Sequence, residues 1–443
     1  MNTVIKNAQI VSDGKTFTSD VLIKNQIIEK IAPTISEHGL EVDAKGLLLL
    51  PGVIDDQVHF REPGLTHKGS IYSESRAAVA GGTTSYIEQP NTIPQATTVQ
   101  ILEEKFALAA KDSFANYSFN LGASNDNLDE ILKADYSIFS GIKIFMGSST
   151  GNMLVDNESI LEKLFANCPH LLITHCEEES IIKQNLEHFK NLYGDNLDAS
   201  FHPLIRNEDA CITSTKKAIQ LAKKHNSRLH VYHISTKSEA QLFENTVPLA
   251  EKRITAEACI HHLWFSDADY ESKGNFIKWN PSIKTKDDRE GVWEALLDNR
   301  IDVIATDHAP HTIEEKNKPY LEAPSGGPLV QHSLLAILEK VRENKISIER
   351  LVEKMCHNPA ILFRIEKRGY IREGYFADLV LIDQNKTTQV SKNNLLYHCG
   401  WSPFENQIFN SQIRTTWVNG EVVWNDGKIT SEPKGQRIKF LTF

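Results

Sequence analysis

A chain of 443 residues, 40% hydrophobic and 24% charged, has the composition of an ordinary globular protein, and its length suits two or three domains or one large barrel with an appendage. A net charge of −10 argues against nucleic acid or an anionic membrane surface as the main partner. No apolar run approaches the roughly 20 residues of a membrane helix, no basic and then apolar leader opens the sequence, and six scattered cysteines without CxxC spacing read as the reduced thiols of a cytoplasmic protein.

The first stretch predicts short antiparallel strands, VIKNAQIV and VLIKNQII, separated by the turn-like SDGKTFTSD. The last stretch behaves alike: GYIREGYFADLVLID is followed by IRTTWVNGEVVW, which ends on NDG. Between them, apolar strand runs alternate with amphipathic stretches such as TVQILEEKFALAAKD and STKKAIQLAKKHN. The strand runs are LLLLPGVIDDQVHF, TTSYIEQP, NYSFNLGAS, GIKIFMGSS, LLITHCE, RLHVYHIS, RITAEAC and DVIATDHAP. Eight such runs predict an α/β fold, a (β/α)8 TIM barrel over residues 51–365, ahead of an open doubly wound sheet. Residues 1–50 and 366–443 are then expected to come together as one small β-domain.

Barrel strands are buried on both faces and should be apolar inside, whereas polar residues at their C-terminal ends face the catalytic side. Those ends are rich in metal-ligand types. The first run ends in Asp55, Gln57, His59 and Arg61, the fifth in His175, the sixth in His233, and the eighth in Asp307 and His308. Lys143 stands inside the apolar IKIFM, where an ammonium is costly unless it snorkels to the strand end. Any one of these has a structural explanation, and His170, His202, His225 and His398 keep that reading. Their recurrence at the same end of successive strands points to a metal centre. Imidazole and carboxylate ligands suit zinc, which acidifies a bound water.

The motifs DDQVHFREPG, QPNT, THCEE, YHIST, EACIHHLWF, NPSIK and IATDHAPHT, in that order, resemble those of the dihydroorotases within the amidohydrolase superfamily, and the likeness runs over nearly the whole chain. The resemblance implies that His59, Lys143, His175, His233 and Asp307 hold one or two zinc ions, with Lys143 carbamylated by CO2 as a bridging ligand. It implies that Asp307 also shuttles the proton, that Arg61, Asn91 and His311 bind a substrate carboxylate, and that Asn280 and the backbone around Gly326 address the ring amide. The implied reaction is reversible closure of N-carbamoyl-L-aspartate to L-dihydroorotate, with a small molecule as the partner; a homodimer is an expectation from the resemblance alone.

Two departures stand out. Gln57 occupies the position of the first histidine of His-x-His, and an amide is a poorer zinc ligand than imidazole. NPSIK and APSGG also differ from the commoner NPPLR and APFG. Allantoinase and dihydropyrimidinase (hydantoinase) chemistry shares the metal logic but needs no guanidinium for a carboxylate. A non-catalytic partner of aspartate transcarbamoylase is the other alternative; Gln57 favours it and the retained ligand set opposes it.

Overall fold

The computed structural model describes residues 2–147 and 153–441. Five strands open the chain: β1 (Asn2–Ser12), β2 (Lys15–Lys24), β3 (Ile27–Ala32), β4 (Leu40–Asp43) and β5 (Leu48–Pro51). Nine follow in the middle: β6 (Val53–Val58), β7 (Thr83–Glu88), β8 (Asn116–Phe119), β9 (Leu121–Gly122), β10 (Ile142–Phe145), β11 (Leu172–His175), β12 (Leu229–Val231), β13 (Ile254–Cys259) and β14 (Val303–Ala305). The last are β15 (Leu379–Asp383), β16 (Thr388–Gln389), β17 (Ile408–Phe409), β18 (Gln412–Val418), β19 (Glu421–Asn425) and β20 (Lys428–Ile429). The run GIKIFMGSS enters β10, and its two closing serines lie outside the described residues.

The middle strands pair in parallel. One sheet runs β6-β7-β8 and the other β14-β13-β12-β11-β10-β9, with β8 and β9 separated by Asn120 alone. A parallel bridge between Val58 and His308, with the His59 N–H donating to the His308 carbonyl at 2.7 Å, joins the first strand to the last and closes the barrel. The helices between strands begin at side-chain caps: Ser70 before Ile71–Ala80, Thr98 before Val99–Asp112, Asn207 before Glu208–His225, and Thr285 before Lys286–Leu297. Each such cap contributes about 0.5–2 kcal/mol. Asn207 starts its helix well upstream of the STKKAIQLAKKHN stretch that signalled it.

Nine of the flanking strands form one sheet in the order β20-β19-β18-β15-β5-β1-β2-β3, with β4 beside β1, so strands from both ends of the chain share it, while β16 and β17 pair separately. The first apolar run divides between two sheets. Leu48–Pro51 pairs with β1 and β15, and the barrel begins only at Val53. Gly52 sits at this crossing, where a Cβ would stand 2.0 Å from Thr84 Oγ1.

Two features lay beyond the periodicity. Residues around Tyr397 and Trp401 pack back onto the barrel: the Tyr397 hydroxyl accepts from Gln331 N–H, and the Trp401 indole donates to the His311 carbonyl at 2.8 Å. Farther on, Ile438 N–H donates to the Tyr117 carbonyl and Leu441 N–H to the Arg364 carbonyl, so the chain returns along the barrel. The barrel interior is also less apolar than expected. Asp56, Gln89, Asn120, His230, Tyr232 and Glu257 are all buried within it. No described helix is long and apolar enough to cross a membrane.

Candidate active site

The ten residues to which the resemblance assigns roles, together with Gln57, line one cavity of about 340 Å3, and Asp55 and His308 stand outside its lining. His59 follows β6, His175 ends β11, and His233 and Asp307 stand two residues beyond β12 and β14. Lys143 is the second residue of β10. Arg61, His233 and Asp307 hold left-handed backbone, at φ of 73°, 42° and 48°. Such conformations cost on the order of 1–3 kcal/mol each and are retained where side-chain direction matters.

One wall gathers the histidines. The His175 Nε2–H donates to Glu177 Oε2 at 3.0 Å, which leaves the Nδ1 lone pair facing His233 Nε2 at 2.9 Å. Arg206 holds the same Glu177 oxygen from the other side. Burial alone would raise the Glu177 carboxyl, but Arg206 and His175 override it and hold it at about 2. Burial, with His175 and Lys143 alongside, keeps His233 well below the usual imidazole range, so its ring is neutral and can offer a lone pair. His233 N–H donates to Glu257 Oε1 at 3.3 Å, and its Nδ1 has no hydrogen-bond partner among the described residues.

Lys143 is 1% exposed and its Nζ likewise lacks a hydrogen-bond partner among the described residues; it lies 3.9 Å from the centre of the Tyr232 ring. Burial pulls its amine down to about 7. His59 Nε2 approaches Asp307 Oδ1 at 3.2 Å while its Nδ1 meets Asn91 Oδ1 at 2.8 Å. Gln57 donates from Nε2 to Asp307 Oδ1 at 3.3 Å, and its Oε1 accepts a 3.5 Å contact from Cys259. These donors fit a metal: imidazoles, a carboxylate and a sealed amine converge, with His175 Nδ1 on His233 Nε2 and His59 Nε2 on Asp307 Oδ1, while His233 Nδ1 and Lys143 Nζ have no hydrogen-bond partner among the described residues.

The opposite wall is cationic. Arg61, 4% exposed, donates from Nε to the Pro310 carbonyl at 3.0 Å and sets Nη2 3.0 Å from His311 Nε2. It has no ion-pair partner among the described residues; Glu62, its neighbour, accepts instead from Ile71 N–H. Burial lowers its guanidinium to about 10. Lys68 reaches His311 Nδ1 at 3.1 Å and Glu315 at 2.8 Å. Asn280 Oδ1 is held at 3.1 Å by His202 Nε2, so His202, read from sequence as structural, stands directly behind the site. The Gly326 N–H is already engaged by the Lys278 carbonyl, and its carbonyl accepts from Lys316, so a ring amide would meet this loop through a second lone pair.

Residues 48–423 match the pattern of the amidohydrolase family. The chain belongs to the amidohydrolase family. Among this family's members, the dihydroorotase of Halobacterium salinarum is 33% identical over 98% of this chain and 99% of its own length. The dihydroorotase of Carboxydothermus hydrogenoformans is 33% identical over 91% of this chain and 94% of its own. The solved L-hydantoinase (dihydropyrimidinase) of Arthrobacter aurescens superposes with a TM-score of 0.93 at 27% identity, covering 99% of both chains. As an amidohydrolase the protein is a hydrolase, with a TIM barrel and a separate β-domain like these neighbours.

The sequence reading passed over Lys68, Glu177, His202, Phe145 and Trp279, of which all but Glu177 and His202 line the cavity. Lys68 and Glu177 lay inside or next to quoted motifs, REPG and THCEE, and were legible there as charged residues in otherwise site-bearing runs. Nothing local marked His202 or Trp279.

Proposed function

We propose that the cyclic amide this hydrolase acts on is dihydroorotate, and that its reaction is the reversible interconversion of L-dihydroorotate and N-carbamoyl-L-aspartate in pyrimidine synthesis. The observation that carries this reading is Arg61: a buried guanidinium without a carboxylate partner among the described residues, facing the cavity beside Asn91, Lys68 and His311. Hydantoins, dihydrouracil and allantoin have no carboxylate to give it; dihydroorotate has one.

In this reading His175, His233 and a carbamylated Lys143 hold one zinc ion, and His59 and Asp307 contribute to a second. Bound zinc supplies Lewis acidity, polarising the amide carbonyl and lowering the pKa of water. Arg61 and Asn91 fix the substrate carboxylate, which orients the ring with its amide toward the histidine wall. Asp307 takes a proton as water adds to the carbonyl and returns it to the ring nitrogen as the carbon–nitrogen bond breaks. In ring closure the same carboxyl starts protonated. Glu177 holds the His175 ring and Asn91 the His59 ring, so each presents a defined nitrogen to the metal. The catalytic unit is the barrel, from Val53 to about residue 365, working in the cytoplasm.

A steady-state comparison of purified protein on dihydroorotate, dihydrouracil, hydantoin and allantoin tests this. Dihydroorotate should be turned over with the highest kcat/KM. Preference for a ring without a carboxylate would overturn the assignment, and no turnover of any of them would favour the non-catalytic alternative.

A further inference from the structure

Beneath the cavity floor, a second group of ligand-type side chains is sealed inside the barrel. Asp56 on β6, His230 on β12 and Glu257 on β13 are each fully buried, and one ligand atom from each lies within 4.8 Å of the others. We propose that these three residues form a buried binding site for a divalent transition cation of zinc size, distinct from the site at His175 and His233.

The orientation of each donor is set from outside the cluster. The Thr255 hydroxyl donates to the Leu229 carbonyl at 3.2 Å, so it accepts from His230 Nδ1 at 2.9 Å. That keeps a ring proton on Nδ1 and turns Nε2 toward two carboxylates, which, against burial, push the imidazole up to about 9, so a cation bound here would displace the Nε2 proton. Glu257 spends Oε1 on the His233 N–H and the Cys259 thiol, which turns Oε2 inward. Neither Asp56 oxygen, nor Glu257 Oε2, nor His230 Nε2 has a hydrogen-bond partner among the described residues. Two carboxylates facing an imidazole nitrogen without solvent need positive charge between them, which a proton or a metal cation can supply.

The spacing is wider than a charge-assisted hydrogen bond requires and has room for a metal. His230 Nε2 stands 3.3 Å from Asp56 Oδ2 and 3.6 Å from Glu257 Oε2. A proton shared as a charge-assisted hydrogen bond would draw nitrogen and oxygen to about 2.7–2.9 Å. Ligands at about 2.0–2.2 Å from a tetrahedral zinc are separated by about 3.4 Å along each edge. Charge permits the exchange: a divalent ion that displaces the protons held by His230 and Glu257, both pushed up when no ion is bound, is balanced by two carboxylates and a neutral imidazole. Such an ion would tie the first barrel strand to the sixth and seventh, and through Glu257 it would brace His233.

The test is metal analysis of the purified, folded protein together with its Asp56→Asn and His230→Gln variants, and anomalous diffraction of wild-type crystals at the zinc edge. Both variants, with circular dichroism like wild type, should contain one equivalent of zinc per chain less. An anomalous peak should lie between His230 Nε2, Asp56 and Glu257. An unchanged metal content in folded variants overturns the proposal. So does a wild-type map without that peak, which decides the matter if the variants fail to fold. A peak here without one at His175 and His233 would sink the catalytic-metal reading and leave this site standing; the converse would sink this site alone.

Discussion

Arg61 and His311 meet at 3.0 Å on the cationic wall of the cavity, held from behind by the Pro310 carbonyl, Lys68 and Trp401, with no carboxylate paired to the guanidinium among the described residues. On the proposed reading, removing the guanidinium takes away a substrate contact and breaks no ion pair among the described residues. Arg61→Met should lower kcat/KM for dihydroorotate by the equivalent of about 2–5 kcal/mol. Zinc content should stay at the wild-type level. Normal turnover by this variant, measured by ring-opening absorbance, would show that the carboxylate is bound elsewhere.

Lys143 should carry a carbamate. Only the neutral amine adds CO2, and burial has brought this amine down to about 7. Below that pH the ammonium dominates and the adduct should be scarce; above it the adduct should accumulate with added bicarbonate. Native mass spectrometry at pH 6 and pH 8 should show the extra CO2 rising with pH and vanishing in Lys143→Ala. A crystal with zinc bound beside an unmodified lysine at neutral pH would refute it.

Gln57 binds Asp307 by its amide where an imidazole would be a ligand, so the two cavity ions should be held unequally. Titration with a chelator should release zinc in two steps, the site of His59 and Asp307 emptying first. Gln57→His should move the first step to higher chelator concentration without abolishing activity. Loss of both ions in a single step from wild type would contradict this reading.

Lys105 and Glu88 form an ion pair at 2.8 Å with both side chains fully buried, and Glu88 also accepts from Phe60 N–H, between His59 and Arg61. Lys105→Met leaves a carboxylate without its counter-charge and should cost about 3–5 kcal/mol in denaturant unfolding. The double variant Lys105→Met, Glu88→Gln should recover a large part of that loss. Equal destabilisation in the single and double variants would mean that packing, not charge, is what Lys105 supplies.

The alternation of runs and helices was enough to read the barrel, and residue type at strand ends marked His59, Arg61, Lys143, His175, His233 and Asp307, whereas Asn91, Asn280, His311 and Gly326 were implied only by the resemblance of their motifs. LLLLPGV was read as one strand because an apolar run carries no mark of which sheet it joins; only the close approach of Gly52 to Thr84 divides it. The polar interior around Asp56, His230 and Glu257 was missed because Asp56 is one of three adjacent polar residues in the first run while His230 and Glu257 each stand in an apolar run, and the three meet only when distant strands close into a barrel. His202 was set aside for the same reason: its partner Asn280 lies 78 residues along the chain.

Trp401 holds the loop of His311 from a segment that lies between strands of the outer sheet. Substrate choice can therefore drift through residues that never touch substrate. A chimaera that keeps the barrel and takes its sequence after residue 385 from a hydantoinase would preserve every cavity side chain and still change the footing of His311, so grafting cavity residues between relatives transfers selectivity only when this outer segment travels with them.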